Sequence, residues 1–341
     1  MTPRARVLNA LAGRPVDRVP WVEHALDLTV IAKAFDLDCT QHVDPDASRI
    51  EQHLAAQRLA VRVAHEIGRC NLEIPRHYTM APRATAPGSH KGLIHSADDL
   101  HKLVFVELTQ QHWDDMQRLV DAKDDLALSI SISLGIGHIW QTMDLMAFAI
   151  ACLEDHPLLR SILQRYTDFT CEVLDRACAM GVDFVWDFDD FAFNTGLVYS
   201  PAVFREIVLP YARQVADAIT LPWVFHSDGN YMEVLDDIVA LGPSGLNPLE
   251  PGGMDLAEVR RRYPDVTMIG NVAVGLLAAG SPEQVRQGVR DAFATMNHNH
   301  RFMAASGNSI PSYADPANVR AMVEEIHRLA VCPPSSRLKI S

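Results

Sequence analysis

Short apolar runs alternate along the chain with longer stretches in which apolar residues recur every three or four positions. The runs at 19–23, 71–75, 127–132, 183–187, 223–226, 245–248, 267–270 and 302–305 read as strands. The run at 71–75 reads equally as loop because of Pro75, and the rest sit in the setting of parallel strands covered on both faces. Between them lie amphipathic helices. One places Leu159, Ile162, Leu163, Tyr166, Phe169 and Val173 on one face and ends near Gly181. Ser200-Pro201 and Ser281-Pro282 each present a capping residue followed by proline at the first helical position. Phe204, Val208, Tyr211, Val215 and Ile219 continue the first of these, and Pro210 is predicted to kink it. Val285, Val289 and Phe293 continue the second, and a last helix carries Val319, Val323, Ile326 and Leu329.

Strand-then-helix repetition implies parallel strands joined by right-handed crossovers. Eight candidate strands fit a closed (β/α)8 TIM barrel better than an open sheet. The reading is therefore one α/β domain over residues 1–332, followed by a flexible tail, 333–341. An N-terminal extension opens with Thr2 as a helix cap and Pro3 at the first helical position. The segment 41–102 is polar, rich in histidine and without clean periodicity, and is read as an inserted lid-like element. No strand is followed by GxGxxG, and GxxxxGK[ST] is absent, so dinucleotide and nucleoside-triphosphate readings lack their main support.

Composition narrows the partners. Of 341 residues, 48% are apolar and 21% charged, enough for a sizeable core. A net charge of −13 argues against nucleic acid and against an anionic membrane surface. No apolar run approaches the roughly 20 residues that span a bilayer. The six cysteines form no CxxC pair and read as reduced thiols, so the expected location is cytoplasmic.

In such a barrel the reacting groups come from the carboxyl ends of the strands. Those positions hold His138, Asp187, Asp189 and Asp190, His226 and Asp228, Asn247 and Glu250, Asn271, then Ser306 and Asn308. His226 and Asp228 are two apart in an extended segment, so they point to one side. With Glu250 they suffice for a divalent metal with an open position. Equally, Asp228 can orient His226 as an acid–base pair. Asp187, Asp189 and Asp190 repel one another; burial of the loop predicts a raised pKa for at least one. Asp189 is expected on the side of Asp187, and Asp190 facing away.

At these residues the chain resembles the uroporphyrinogen decarboxylase superfamily, which includes zinc-dependent methyltransferases acting on methylated corrinoids and thiols. The resemblance runs through Arg6-Val7-Leu8-Asn9-Ala10-Leu11, Arg14-Pro15-Val16-Asp17-Arg18-Val19-Pro20, Ser200-Pro201, Pro210-Tyr211, His226-Ser227-Asp228-Gly229, Leu246-Asn247-Pro248, Gly270-Asn271 and Ser309-Ile310-Pro311. It implies the barrel already read from the pattern. The decarboxylases carry an arginine-rich segment after the first strand that grips substrate carboxylates. Here Val22-Glu23-His24-Ala25-Leu26-Asp27 has no arginine, and Gly307-Asn308-Ser309 replaces the family's Gly-His-Gly. The methyltransferases bind zinc through His-x-Cys and a late Cys. His226, Asp228, Glu250 and Asn308 fall on those metal positions, with oxygen donors for both thiolates, which favours harder ions such as magnesium or manganese beside zinc.

The resemblance thus implies a metal-dependent methyltransferase acting on a small ether- or amine-type substrate, with a corrinoid (on a partner protein) or a folate as acceptor. In that reading His226, Asp228, Glu250 and Asn308 hold the metal; Asp187, Asp189, His226 and Asn271 are catalytic. His24, His138, Asp190, Asn247 and Ser306 bind substrate, and a homodimer is expected. A metal-free decarboxylase of a small acid, with Asp187 or Asp189 stabilising positive charge and His226 moving the proton, is the alternative. A non-catalytic binding protein is the third.

Overall fold

A computed structural model of the chain describes residues 1–40, 44, 46–86, 91–154, 156–297 and 300–331. The expected tail, 333–341, lies outside them. The main strands are β1 (Asn71–Glu73), β2 (Ala127–Ile132), β3 (Phe184–Phe188), β4 (Trp223–His226), β5 (Gly245–Asn247), β6 (Thr267–Val272) and β7 (Phe302–Ser306). With the helices between them they make an α/β fold. The contacts divide the chain into two compact units.

The first unit comprises Met1–Leu72, Ala122–Leu128 and Ser244–Ser341. Its centre is β5, β6 and β7, paired in parallel with Leu246 beside Met268 and Gly270 beside Ala304. The segment 19–23 joins them as expected, although only Trp21 forms bridges, one to Ala304 and one to Arg69. Val22 N–H donates to the Ala304 carbonyl at 2.9 Å, and Cys70 N–H to the Trp21 carbonyl at 2.9 Å. Val285, Val289 and Met296 of helix Pro282–Met296 are fully buried, as are Val319 and Ile326 of helix Pro316–Leu329 to within 1%. Each such side chain stabilises the fold by about 1.5–3 kcal/mol.

Two expectations for this unit change. The N-terminal extension is scaffold: helix Pro3–Leu11, capped by Thr2, buries Val7, Ala10 and Leu11, and Thr267 Oγ1 at the start of β6 donates to the Ala10 carbonyl at 2.7 Å. Much of the segment read as a lid is scaffold too. Residues Arg49–Ile67 form a 19-residue helix with a Ser48–Glu51 capping box, burying Ile50, Leu54, Leu59, Val63, Ala64 and Ile67. Its outer face is so crowded with Gln, Arg, His and Glu that the apolar spacing is diluted in the sequence.

The second unit comprises Glu73–Asp121 and Ser129–Pro243. Here β2, β3 and β4 pair in parallel, Ile132 beside Asp187 and Phe188 beside His226. Helix His156–Ala177 covers them with the apolar face read from the sequence, Leu159, Ile162, Leu163, Tyr166 and Val173 all buried to within 1%. Ser200 caps the next helix by accepting from Val203 N–H. The kink expected at Pro210 is a π-helical turn over Phe204–Val208, closed by Leu209 N–H on the Phe204 carbonyl. Proline has no N–H to donate within the regular ladder, and the wider turn absorbs the missing bond.

Candidate functional site

In the second unit the strand register brings carboxylates and imidazole together. β3 and β4 end side by side, and Asp189 N–H donates to the His226 carbonyl at 2.9 Å. Past β4 the chain turns at Gly229, whose φ of 79° suits glycine. A side chain there would strike the backbone of Ala192. Asn230 N–H donates to the Phe193 carbonyl at 2.9 Å, so a short hairpin, Ala192–Phe193 with Gly196–Leu197, holds the turn in place.

That turn carries Asp228 to 3.8 Å from His226 Nε2, measured at Oδ1. From the other side Asp190 Oδ1 lies 3.7 Å from the same nitrogen and accepts from Asp228 N–H at 3.1 Å. One ligand atom from each of Asp190, His226 and Asp228 falls within 4.8 Å of the others. The His226 side chain is 4% exposed and rests on the Phe188 ring at 4.8 Å between centroids. The two aspartates are half-exposed, which leaves an open side. As expected, His226 and Asp228 share a face. Asp190, read as facing away and assigned to substrate, turns back to His226 because β3 ends at Phe188 and the alternation ends with it.

Behind this group lies a buried pair, Asp187 and Asp189. Asp189 Oδ1 accepts from Gly137 N–H at 2.7 Å and from Ser133 Oγ at 2.8 Å; His138 Nδ1 stands 3.7 Å away. Burial pushes Asp189 upward, but His138 and these donors outweigh it and hold the carboxyl below its ordinary value. Asp187 accepts from Leu134 N–H at 2.8 Å. Burial first, then the Asp189 charge, drives its pKa well above the carboxylate range. The expectation of one raised carboxyl is met at Asp187. His138, expected to bind substrate, is 1% exposed, turned inward between Asp189 and the Ala81 carbonyl. Its place is that of a support for Asp189.

Sequence reasoning passed over Arg76 in this unit. Its guanidinium lies 4.0 Å above the Phe188 ring and its Nε donates to Glu73 Oε1 at 2.9 Å. The resemblance points to arginines after the run at 19–23, whereas Arg76 follows β1, the next run along the chain.

The first unit gathers the remaining candidates. Glu23, 1% exposed, accepts from Trp21 Nε1 at 3.0 Å, Ser306 N–H at 2.8 Å and Ser306 Oγ at 2.6 Å. Burial, opposed by those donors, raises its pKa to about 7. Ser306, expected at substrate, is occupied with Glu23. Asn271 donates to the Leu249 carbonyl at 2.7 Å and Asn247 to the Ile269 carbonyl at 3.2 Å, so both amides brace backbone. His24 Nε2 is 3.3 Å from Asn308 Oδ1. Asn308 and Glu250 line a pocket of about 400 Å3 with Gly307, Ser309 and Tyr313. Glu23 was read only as the end of a strand. An acid closing an apolar run was its one signal.

Parallel strands with helices between them and acid, imidazole and amide groups at the carboxyl ends define a TIM-barrel-like α/β protein. Residues 89–329 match the family uroporphyrinogen decarboxylase (URO-D), and the chain belongs to that family. Uroporphyrinogen decarboxylase of Neisseria meningitidis is 26% identical over 185 residues, 51% of this chain and 49% of the relative. The chain thus spans about half the length of the curated relatives it matches. Among solved structures, a methyltransferase from Methanosarcina mazei aligns with a TM-score of 0.70 at 17% identity, covering 96% of this chain and 99% of the other. A candidate vitamin-B12-independent methionine synthase from Listeria monocytogenes aligns at 0.50 with 12% identity, covering 91% and 98%. These likenesses establish the shared fold.

Proposed function

We propose that the protein is a metal-dependent methyl-transferring enzyme of the uroporphyrinogen decarboxylase family. Its substrate in this reading is a small methylated ether or amine, and its acceptor a corrinoid on a partner protein or a folate. The observation that carries the metal site is the convergence of Asp190, His226 and Asp228 within 4.8 Å. One imidazole and two carboxylates with an open side suit a catalytic divalent ion, and the oxygen-rich set leans toward manganese or magnesium as well as zinc. Such an ion supplies Lewis acidity toward a substrate oxygen or nitrogen. Asp190 joins His226 and Asp228 in this group, and Glu250 and Asn308, expected beside them, belong to the other unit.

The chain's own residues supply positioning. Phe188 packs against the His226 ring, and Asp228 N–H, donating to Asp190 Oδ1, holds the Asp190 carboxylate at the turn that carries Asp228. The family name and the buried Asp187–Asp189 pair favour a second reading, a metal-free decarboxylase. Neither Asp187 Oδ2 nor Asp189 Oδ2 meets a hydrogen-bond partner among the described residues, and a buried acid beside a carboxylate suits proton delivery.

Elemental analysis of protein purified without chelator, followed by manganese and zinc titration, separates the two. The metal reading expects about one ion per chain, with affinity reduced at least tenfold in both His226→Ala and Asp190→Asn. Absence of bound ion together with unchanged affinity in His226→Ala overturns it.

A further inference from the structure

A second feature of the first unit lies away from the strand-end groups. At the amino-terminal end of the segment 19–23, a pocket of about 170 Å3 is lined by Arg6, Arg18, Arg69, His65 and His327, with Cys70 and Trp21 completing its wall. Three arginines and two histidines line it with no carboxylate among the lining residues, although Asp17 and Asp124 hold Arg6 and His65 from outside it. In a chain of net charge −13 three arginines on one pocket are against the average.

Most of these groups are held by local contacts. Arg6 is clamped on Asp17 through Nε at 2.7 Å and one terminal nitrogen at 2.9 Å, which sets the plane of its guanidinium. His65 Nε2 lies 3.1 Å from Asp124 Oδ2, and His327 Nε2 is 2.8 Å from the Ile67 carbonyl. Arg69 donates to the Glu23 carbonyl at 2.7 Å. Arg18 differs. Its backbone N–H bonds Asp17, but its guanidinium makes no hydrogen bond or ion pair with the described residues. A half-buried cation facing other cations, with no counter-ion of its own, is costly unless an anion joins it.

We infer that this pocket binds a tetrahedral oxyanion, as free phosphate or as the phosphoryl group of a small ester. Arg18 is the principal ligand and Arg6 the second. Arginine forks match phosphate oxygens in paired, charge-assisted bonds, and the Arg18 and Arg6 guanidiniums suit an anion with several oxygens to accept from both. The volume agrees. At roughly 30 Å3 per water, the cavity has room for about five or six waters, enough for a phosphate with part of a small ester. The site is independent of the proposed metal triad, which belongs to the other unit. It gives a chemical role to Arg18 of the Arg14-Pro15-Val16-Asp17-Arg18 segment, beyond the Arg6–Asp17 clamp.

The test is calorimetric titration of the full chain with inorganic phosphate and with glycerol 3-phosphate, each against chloride at matched ionic strength. The expected result is saturable binding at one site, weakened at least tenfold in Arg18→Gln and unchanged in Arg205→Gln, a surface arginine paired with Asp237. Tighter binding of glycerol 3-phosphate than of phosphate identifies an ester as ligand; equal binding identifies the free ion. Heat no different from the chloride control, or undiminished affinity in Arg18→Gln, overturns the inference. Should Arg18→Gln fail to fold, wild-type crystals soaked in selenate decide. An anomalous peak within hydrogen-bond distance of Arg18 sustains the site, and peaks confined to other places refute it.

Discussion

Glu23 illustrates how burial and donors compete for one carboxyl. It has three hydrogen-bond donors, yet desolvation wins and its pKa stands at about 7 against an ordinary 4.5. The folded chain therefore holds a proton that the unfolded chain releases. Stability from this group is fully present below about pH 4.5. It declines as pH rises toward and through 7, by up to about 3 kcal/mol at 1.36 kcal/mol per unit. Urea denaturation at pH 6 and pH 8 should show that fall in the wild type. Glu23→Gln, which keeps an acceptor for Trp21 and Ser306, should flatten it; an unchanged slope removes Glu23 as its source. Asp189 is the opposite case, a carboxylate held charged by its surroundings. Asp189→Ala strands Gly137 N–H, Ser133 Oγ and His138 in a buried site, and should cost about 3–5 kcal/mol in the same experiment. A loss below 1 kcal/mol would mean that water replaces the carboxylate at no penalty.

At the scale of elements, side chains that serve backbone hold several turns. Arg260 reaches four carbonyls, those of Pro264 at 3.3 Å, Val266 at 3.1 Å, Met296 at 2.8 Å and Arg301 at 2.8 Å. It thereby ties the end of helix Leu256–Arg262 to the end of helix Pro282–Met296 and the start of β7. Arg260→Ala should cost about 2–4 kcal/mol. Hydrogen exchange should quicken at Val266 and Met268; protection equal to the wild type would show the ties to be idle. The element scale is also where the sequence is most readable. The bounds of β2 and β4 follow from short runs rich in Ile, Val, Leu and aromatic residues, and Ser200-Pro201 and Ser281-Pro282 mark their helices because capping is local chemistry. Helix Arg49–Ile67 is hidden by its long polar face. At the site, period-two alternation places His226 and Asp228 on one side, but says nothing once a strand ends. Asp190 lies two residues beyond β3, where the hairpin and not the pleat decides its direction. Glu23 and Arg76 escape because their significance depends on partners from distant segments: Ser306 for one, Phe188 for the other.

For the whole molecule, the net charge of −13 and a half-exposed acidic triad make cation binding and stability one problem. An ion that binds only the folded chain stabilises it by RT ln(1 + [L]/Kd), about 2.7 kcal/mol at a hundred times Kd. For a chain of this length that is a rise in Tm of a few degrees. Manganese or zinc at that excess should therefore raise the melting temperature. Calcium should do so less, since a site with an imidazole and few oxygens does not meet its need for six to eight oxygen ligands. Asp190 and Asp228 are partly exposed in a chain of net charge −13. The apparent affinity should thus fall between 50 and 500 mM salt as screening shortens the reach of that charge. His226→Ala removes the sole nitrogen donor of the triad and should abolish the rise while leaving the ion-free melting temperature within a degree or two. If the variant is stabilised as much as the wild type, the ion is held elsewhere, and the exposed His65–Asp124–Asp125 group becomes the place to look.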